Sequence, residues 1–560
     1  MDLAIFLVPV TILVAVTAQD EEPPPVVQIE QGAVKGLKIV SIRQQEYYAF
    51  LGIPYAKSPE GYLRFKAPVP PEPWTGGVYD ANDERSENCL FLSIFSNKLP
   101  GPNLTELMPV IVWIHGGNFV TGSNTMVMFG PDHLLTQNVV LVTINYRLGV
   151  LGFLCLPKAG IPGNNGMKDQ VMALKWVKKN IANFGGDPNR VTIFGQSAGG
   201  ASVHLHMMSP MTAGLFHRAI SQSGTALASW AFGEPEYLTE VAFKIGSKIG
   251  CNATEEKALL QCFIEKPGRA FVNITAFEDE TGVPANELKP TWENGQASQE
   301  EVFLPGRPSE LIAAYKFHIV PFITGTNSKE ALTFLALTKT PNFWEKFDKN
   351  FDKVVEITTG KETTNGGAGA ADKIKAFYFK DKKPSPETED NFLDCYTDLS
   401  FFMGANRVVR ELSAVSTAPI YYYYFEFDGE LGVAKRAVKI TKPGVAHADE
   451  LGYLFNTAIS PEIQDGSLEQ IALKRMVKMW TNFAKTGLVE HPVDDSLLPP
   501  ARWAPLGGTA IANGSPISCP ICSNIPNFYF IIITDISHLS GYFVLILRGR
   551  GSVSAAVGPD

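Results

Sequence analysis

An α/β fold with a large, mostly parallel central sheet flanked by helices is predicted by three features of the sequence. The first is a set of continuous apolar runs of strand length, at residues 110–114, 139–144 and 191–194. Strands covered by helices on both faces need apolar side chains at every position, whereas half-exposed strands alternate. The second is helical spacing between the last two runs. Val171, Leu174, Val177 and Ile181 share one face of 169–184, and Gly185-Gly186 stops it, so strand, helix and strand follow as a βαβ unit. The third is continuity: no repeat, long Gly/Ser linker or composition change divides the 560 residues, of which 45% are hydrophobic and 19% charged. Such a chain can bury one large core.

Residues 1–18 are apolar, too short to span a membrane, and end in small residues. That pattern is a secretory signal peptide cut after Ala18, so the mature chain is expected outside the cell. Residues 31–50 read as short alternating strands around Gly32 and Gly36, and the Pro-rich stretch 54–74 as surface wrapping, because proline removes ladder donors. Beyond the central runs, 201–208 is helix-like, and 319–324 and 421–427 are further buried strands, each leading into a loop.

Secretion gives the seven cysteines an oxidising setting, and Cys251 and Cys262 bracket a short polar segment suited to a loop-closing disulfide. Cys519 and Cys522 have metal-like spacing, yet no second ligand pair lies nearby, and no metal site is expected. Asn103, Asn252 and Asn273 head glycosylation sequons. The net charge of −9 excludes nucleic acid as an expected partner, since phosphate recognition needs clustered Lys and Arg; the lysines at 175, 178 and 179 form a solvated helix face.

The chemistry is carried by Gly195-Gln196-Ser197-Ala198-Gly199-Gly200, which stands between a buried strand and a helix. A serine held on a sharp strand-to-helix turn needs glycine two positions either side, at Gly195 and Gly199, because the backbone packs too closely there for a Cβ. Serine alone is a weak nucleophile, so a base must take its proton and a carboxylate must orient the base. In this architecture, the α/β-hydrolase fold, acid and then histidine follow the serine in chain order. His447, in a Gly-bearing loop after the 421–427 run, is a better base than His491 or His538; His204 and His206 lie on the helix after the serine as packing residues. Glu330 follows the 319–324 run by a short loop, while its rivals Asp398 and Glu411 lie in a helix-like stretch. Oxyanion donors are expected from the Ala198 amide and from the loop His115-Gly116-Gly117-Asn118. Together these features describe acyl transfer from an ester to water, with no cofactor.

Many further pieces occur in order: LGIPYA at 51–56, Arg64-Phe65, ENCLFL at 87–92, NYRLG at 145–149, GNNG at 163–166 with Lys168-Asp169-Gln170, and WTNFAKTG at 480–487. On these the chain resembles the type B carboxylesterase and cholinesterase family from about residue 31 to 506, with the bile-salt-activated lipase branch nearest and some likeness to invertebrate esterases. The resemblance implies a triad of Ser197, Glu330 and His447, oxyanion donors at Gly117, Asn118 and Ala198, Ser223 as a partner of the acid and base, and a loop disulfide at Cys251 and Cys262. It implies uncharged lipophilic ester substrates, from short-chain esters to acylglycerols and sterol esters, and bile salts or lipid interfaces as further partners. Gln196 stands where relatives carry Glu, which removes a charge that would favour choline esters. The stretch 74–89 is shorter than in the family and lacks the cysteine that pairs with Cys89. The hydrolase domain is thus expected over 19–508, and the tail 509–560 departs from the family pattern and is expected to lack its closing strand and helix. The rival reading is a non-catalytic cholinesterase-like adhesion protein, which keeps the surface and loses the serine; an intact triad argues against it.

Overall fold

The computed structural model describes residues 23–489, apart from 43, 75–77, 81–87, 102–105, 273, 275–279, 284–286, 294–300 and 360–368, and beyond them three strands, Ala510–Ala512, Ser515–Ile517 and Phe528–Ile533. The signal segment, Asn103, Asn273, Cys519, Cys522, His491 and His538 lie outside the described residues.

Ten strands form the central sheet: β1 (Leu37–Val40), β2 (Glu46–Pro54), β3 (Phe91–Ser96), β4 (Met108–Ile114), β5 (Val140–Ile144), β6 (Gly186–Gln196), β7 (Arg218–Gln222), β8 (Phe322–Asn327), β9 (Ile420–Phe425) and β10 (Phe528–Ile533), in the spatial order β10-β9-β8-β7-β6-β4-β5-β3-β2-β1. Every pair from β5 to β10 is parallel, and β1, β2 and β3 add an antiparallel edge. The sheet is therefore mixed, with the parallel block carrying all the strands expected from the apolar runs. Contrary to the expectation for the tail, Phe528–Ile533 closes the sheet against β9, from Ile420↔Phe528 to Phe425↔Ile533. Six consecutive aromatic and branched apolar residues suit a ladder edge whose backbone groups otherwise lack partners.

The continuous apolar runs are explained by burial on both faces. Along β4, Val110, Val112 and Ile114 join the core that includes Val171, Leu174 and Val177 of α1 (Asn165–Asn180), while Ile111 and Trp113 point into the opposite core with Leu473, Met476 and Trp480 of α2 (Leu468–Thr486). Trp113 anchors that second face, its ring centroid 4.8 Å from Phe194 and 4.8 Å from Phe455. A third, Phe-rich cluster built on Phe343, Phe347, Phe351, Phe379 and Phe392 forms a helical layer that continues to Phe401 beside the site.

Several motif residues turn out to be buried polar struts. Arg147 donates to both carboxylate oxygens of Asp169, at 2.7 and 2.6 Å, and to the Lys66 carbonyl at 2.7 Å. Lys168 pairs with Glu293 at 3.0 Å, both side chains being buried. His206 shares a 2.8 Å hydrogen bond with Gln170 Oε1, and burial pushes its imidazole down to about 3, so it is a neutral packing residue. His204 is likewise buried, stacked on Phe322. Cys251 and Cys262 form a disulfide with Cα atoms 5.9 Å apart.

Removing one partner of a buried ion pair leaves an uncompensated charge, whereas removing both does not. Asp169→Ala is expected to lower unfolding free energy by about 3–5 kcal/mol, read as a drop in the urea midpoint at unchanged slope. The double replacement Arg147→Met with Asp169→Ala should recover most of that loss.

Candidate active site

The candidate residues follow the carboxyl ends of neighbouring parallel strands: the Gly116 loop after β4, Ser197 after β6, Ser223 after β7, Glu330 after β8 and His447 on the segment after β9. The order reverses at β4, where β5 lies on one side and β6 on the other, and such a switch opens a crevice above the strand ends.

Ser197 sits at φ 59° and ψ −124°, between β6 and the helix α3, Ala198–Met208. The left-handed φ of a non-glycine residue is a strained turn, tolerated where the surroundings over-determine it. Here Ser197 N–H donates to the Gln222 carbonyl at 2.8 Å and its carbonyl accepts from Ala201 N–H at 2.9 Å. The flanking glycines are required sterically: a Cβ on Gly199 would run into the Ile114 carbonyl, and one on Gly195 would meet the same oxygen at 2.6 Å. A Cβ on Gly116 would lie 3.0 Å from Ser197 Cβ, so the loop after β4 presses against the nucleophile turn.

That loop runs through positive φ at Gly117 (107°), Asn118 (57°) and Phe119 (60°). Its shape is held by Thr121 N–H donating to the Gly117 carbonyl at 2.9 Å and by His115, stacked 4.6 Å from Tyr146. Burial drives the His115 imidazole down to about 4. Among the described residues no acceptor takes the amide hydrogens of Gly117, Asn118 or Ala198, and Ala198 begins a helix, where the first amides have no partner of their own.

Glu330 is fully buried. Its Oε1 accepts from Asn327 N–H at 2.7 Å and its Oε2 from His447 Nδ1 at 2.7 Å. The imidazole also lies against Phe401, with ring centroids 4.6 Å apart. With Nδ1–H committed to the carboxylate, Nε2 carries the lone pair. The Ser197 hydroxyl is not hydrogen-bonded to that nitrogen in this conformer. The Gln196 side-chain amide nitrogen stands over the ring, 3.1 Å from Nε2 and 3.4 Å from Nδ1. Catalytic hydrogen bonds of this kind often tighten only around substrate.

Ser223 does not reach the acid or base. Its hydroxyl is buried without a hydrogen-bond partner among the described residues, while Asn327 and His447 donate to the Glu330 oxygens. Asp398 and Glu411, the rival acids, lie elsewhere, on a π-turn and on the exposed side of Met403–Ser413.

Sequence reasoning missed the polar layer beneath the dyad. Glu450 is buried, accepting from Gln222 Nε2 at 3.2 Å and Asn327 Nδ2 at 2.6 Å, and Gln222 accepts from Trp480 Nε1 at 3.0 Å. Burial first, and then the charge of Glu330, pushes the Glu450 carboxyl up to about 7. The available signals were spacings: Glu450 lies three residues after the base, and Asn327 three before the acid.

A sequence model described as the carboxylesterase family matches residues 23–86 and 79–509. Esterase FE4 of Myzus persicae is 35% identical over 504 residues, which cover 85% of this chain and 87% of that protein. Juvenile hormone esterase of Tribolium castaneum is 35% identical over 499 residues, with 83% and 84% covered. The medium-chain fatty acyl-CoA hydrolase precursor of Anas platyrhynchos is 34% identical, with 85% and 87% covered. The crystal structure of juvenile hormone esterase from Manduca sexta, with OTFP covalently attached, aligns at a TM-score of 0.73 and 29% identity, over 84% of this chain and 92% of that one. Three of these four are insect esterases, in line with the expected likeness to invertebrate esterases, and the fourth is a vertebrate acyl-CoA hydrolase. The chain belongs to the carboxylesterase family and is a carboxylic ester hydrolase of α/β-hydrolase fold.

Proposed function

We propose that the enzyme is a secreted hydrolase of uncharged lipophilic esters, working through an acyl-enzyme on Ser197. The observation that carries this reading is the 2.7 Å contact of buried Glu330 with His447 beside a serine on a strained turn. Ser197 Oγ attacks the ester carbonyl carbon while His447 Nε2 takes its proton, and Glu330 stabilises the resulting imidazolium. The N–H groups of Gly117, Asn118 and Ala198 hold the oxyanion. Collapse expels the alcohol, which receives the proton from His447, and water repeats the sequence to release the acid.

Aromatic walls favour a lipophilic substrate. Trp230, Phe334 and Phe401 form a ring cluster, with centroids 6.0 and 6.5 Å from Phe401, that abuts the imidazole. Exposed Val120, Met126, Val127 and Met128 on the segment after the oxyanion loop, with Ile459 beside them, give an apolar rim suited to acylglycerols, sterol esters or a lipid interface. Among the relatives, two are named for the ester of a hormone, so a lipophilic hormone ester joins the substrate panel, assayed with and without bile salts. The Cys251–Cys262 disulfide fits the expected secretory route, cleavage after Ala18 and a hydrolase domain over 19–508. Asn252 is exposed next to that disulfide, as a glycosylation acceptor must be.

Ser197→Ala should lower kcat/KM for p-nitrophenyl butyrate by about 10⁴-fold or more and abolish labelling by an organophosphonate. Wild-type rates in that variant would sink the mechanism.

A second expectation concerns pH. Between about 4.5 and about 7 the folded state keeps a proton on Glu450 that the unfolded state has lost, so stability falls as pH rises through that window. Asp449, pushed up to about 6 mainly by burial, acts with the same sign. Glu450→Gln should flatten the decline in unfolding free energy from pH 5 to pH 8 by about 3 kcal/mol, measured by urea unfolding at each pH.

A further inference from the structure

His115, the first residue after β4, is buried, and its Nδ1 lies 2.8 Å from the carbonyl oxygen of Gly116. A carbonyl offers only lone pairs, so Nδ1 carries the hydrogen and donates it. Burial drives the imidazole down to about 4, which leaves the ring neutral, with its one hydrogen on that nitrogen, at neutral pH. Behind it, the Tyr146 hydroxyl donates to the His115 carbonyl at 2.9 Å, and the two rings lie 19° from parallel. Gly122, at φ 117°, makes room for the contact: a Cβ there would strike Nδ1 and come within 2.6 Å of the Gly116 oxygen.

The Gly116 carbonyl and the Gly117 N–H belong to one planar trans peptide, so they point in opposite directions. Both flanking residues are glycine, whose backbone turns through either hand at little cost, and no side chain on them resists rotation of that plane. Rotation would replace the Gly117 N–H by a carbonyl oxygen and set a negative dipole where the oxyanion must form. The next peptide is held by other means, because the Gly117 carbonyl accepts from Val120 N–H at 3.1 Å, Thr121 N–H at 2.9 Å and the Thr121 hydroxyl at 3.2 Å. Those three donors fix the direction of Asn118 N–H. At the Gly116 carbonyl, the donor among the described residues is His115 Nδ1–H.

We infer that His115 is a positioning residue for the oxyanion hole: its Nδ1–H holds the Gly116 carbonyl and thereby aims the Gly117 N–H at the ester oxygen, with the Tyr146 hydroxyl steadying the ring from behind. The inference rests on the Ser197 acyl-enzyme reading given above. His115 exchanges no proton in the reaction and acts through one peptide plane. Losing an oxyanion donor outright costs about 10²–10³-fold in kcat, and a misdirected donor costs part of that.

Two replacements separate the hydrogen bond from the packing. His115→Phe keeps a ring against Tyr146 and removes the donor, whereas His115→Asn removes the ring and keeps an amide N–H at the Nδ1 position. The full chain is assayed on p-nitrophenyl butyrate, with rates counted per serine titrated by an organophosphonate, and is inhibited by an alkyl trifluoromethyl ketone, whose adduct with Ser197 carries an oxyanion. His115→Phe should lower kcat/KM and affinity for the ketone together by about 10-fold or more, at a KM within about twofold of wild type, and His115→Asn should recover most of the loss. A packing role requires the reverse order, Phe active and Asn impaired, and that order overturns the inference, as does wild-type ketone affinity in His115→Phe. Tyr146→Phe, which leaves both rings in place, should lower ketone affinity by about fivefold. It carries the test where His115→Phe yields no folded protein, and unchanged affinity in it then overturns the inference. Failure of the underlying reading shows differently, as esterase activity that survives in Ser197→Ala.

Discussion

The start of α3 crosses the end of β4 with backbone against backbone, and the geometry of the site descends from that contact. Glycine at 199 lets the helix approach the Ile114 carbonyl, and glycine at 195 lets the strand approach it too. The turn between them has no relaxed conformation for a residue with a Cβ, so Ser197 carries φ 59°, a cost of about 1–3 kcal/mol. The same crossing leaves Ala198 N–H at a helix start without an acceptor and brings the Gly116 loop against Ser197 Cβ. The proposed nucleophile and oxyanion donors are therefore fixed by one steric event rather than by separate side-chain contacts.

A different physics governs the acid and base. Three hydrogen-bonding partners from two strands and a helix converge under the dyad: Gln222 from β7, Asn327 from β8 and Trp480 from α2 reaching Gln222. They hold two buried carboxyls close together, which burial alone would not permit both to ionise. The conflict is resolved by asymmetry. Glu330 keeps the imidazole Nδ1–H and the Asn327 N–H, while Glu450 is pushed up to about 7. The Glu330 carboxylate is thereby placed against Nδ1, where it fixes the tautomer.

The parallel block and the nucleophile turn were legible because each depends on local pattern. Apolar runs report two-sided burial directly, and the glycine spacing around Ser197 reports a steric need that no other residue meets. The chain order serine, acid, base then narrowed Glu330 and His447. What escaped depends on long-range polar contact. Gln222, Asn327 and Glu450 look like ordinary hydrophilic residues until the fold buries them, and their sequence separation hides the network. Ser223 stands after the neighbouring strand β7 with its hydroxyl buried and without a hydrogen-bond partner among the described residues, so its part in the site is not carried by a contact of the kind that marks Glu330 and His447. The closing strand at Phe528–Ile533 was missed because a short apolar patch gives no information about which sheet edge it will pair with.

Charge balance around the base bears on what the crevice can hold. A cationic substrate gains from anionic side chains near the nucleophile, but Gln196 is neutral and Glu450 is only partly ionised near neutrality. Glu330 is fully buried and spends its charge on His447. Aromatic faces at Phe401, Phe334 and Trp230 can still attract a cation, though such contacts are worth roughly 0.5–2 kcal/mol and meet a desolvation cost that an uncharged ester does not pay. Apolar acyl and alcohol groups incur no such loss and gain from leaving water. The balance of these terms, rather than any single recognising residue, supports the proposed preference for neutral lipophilic esters.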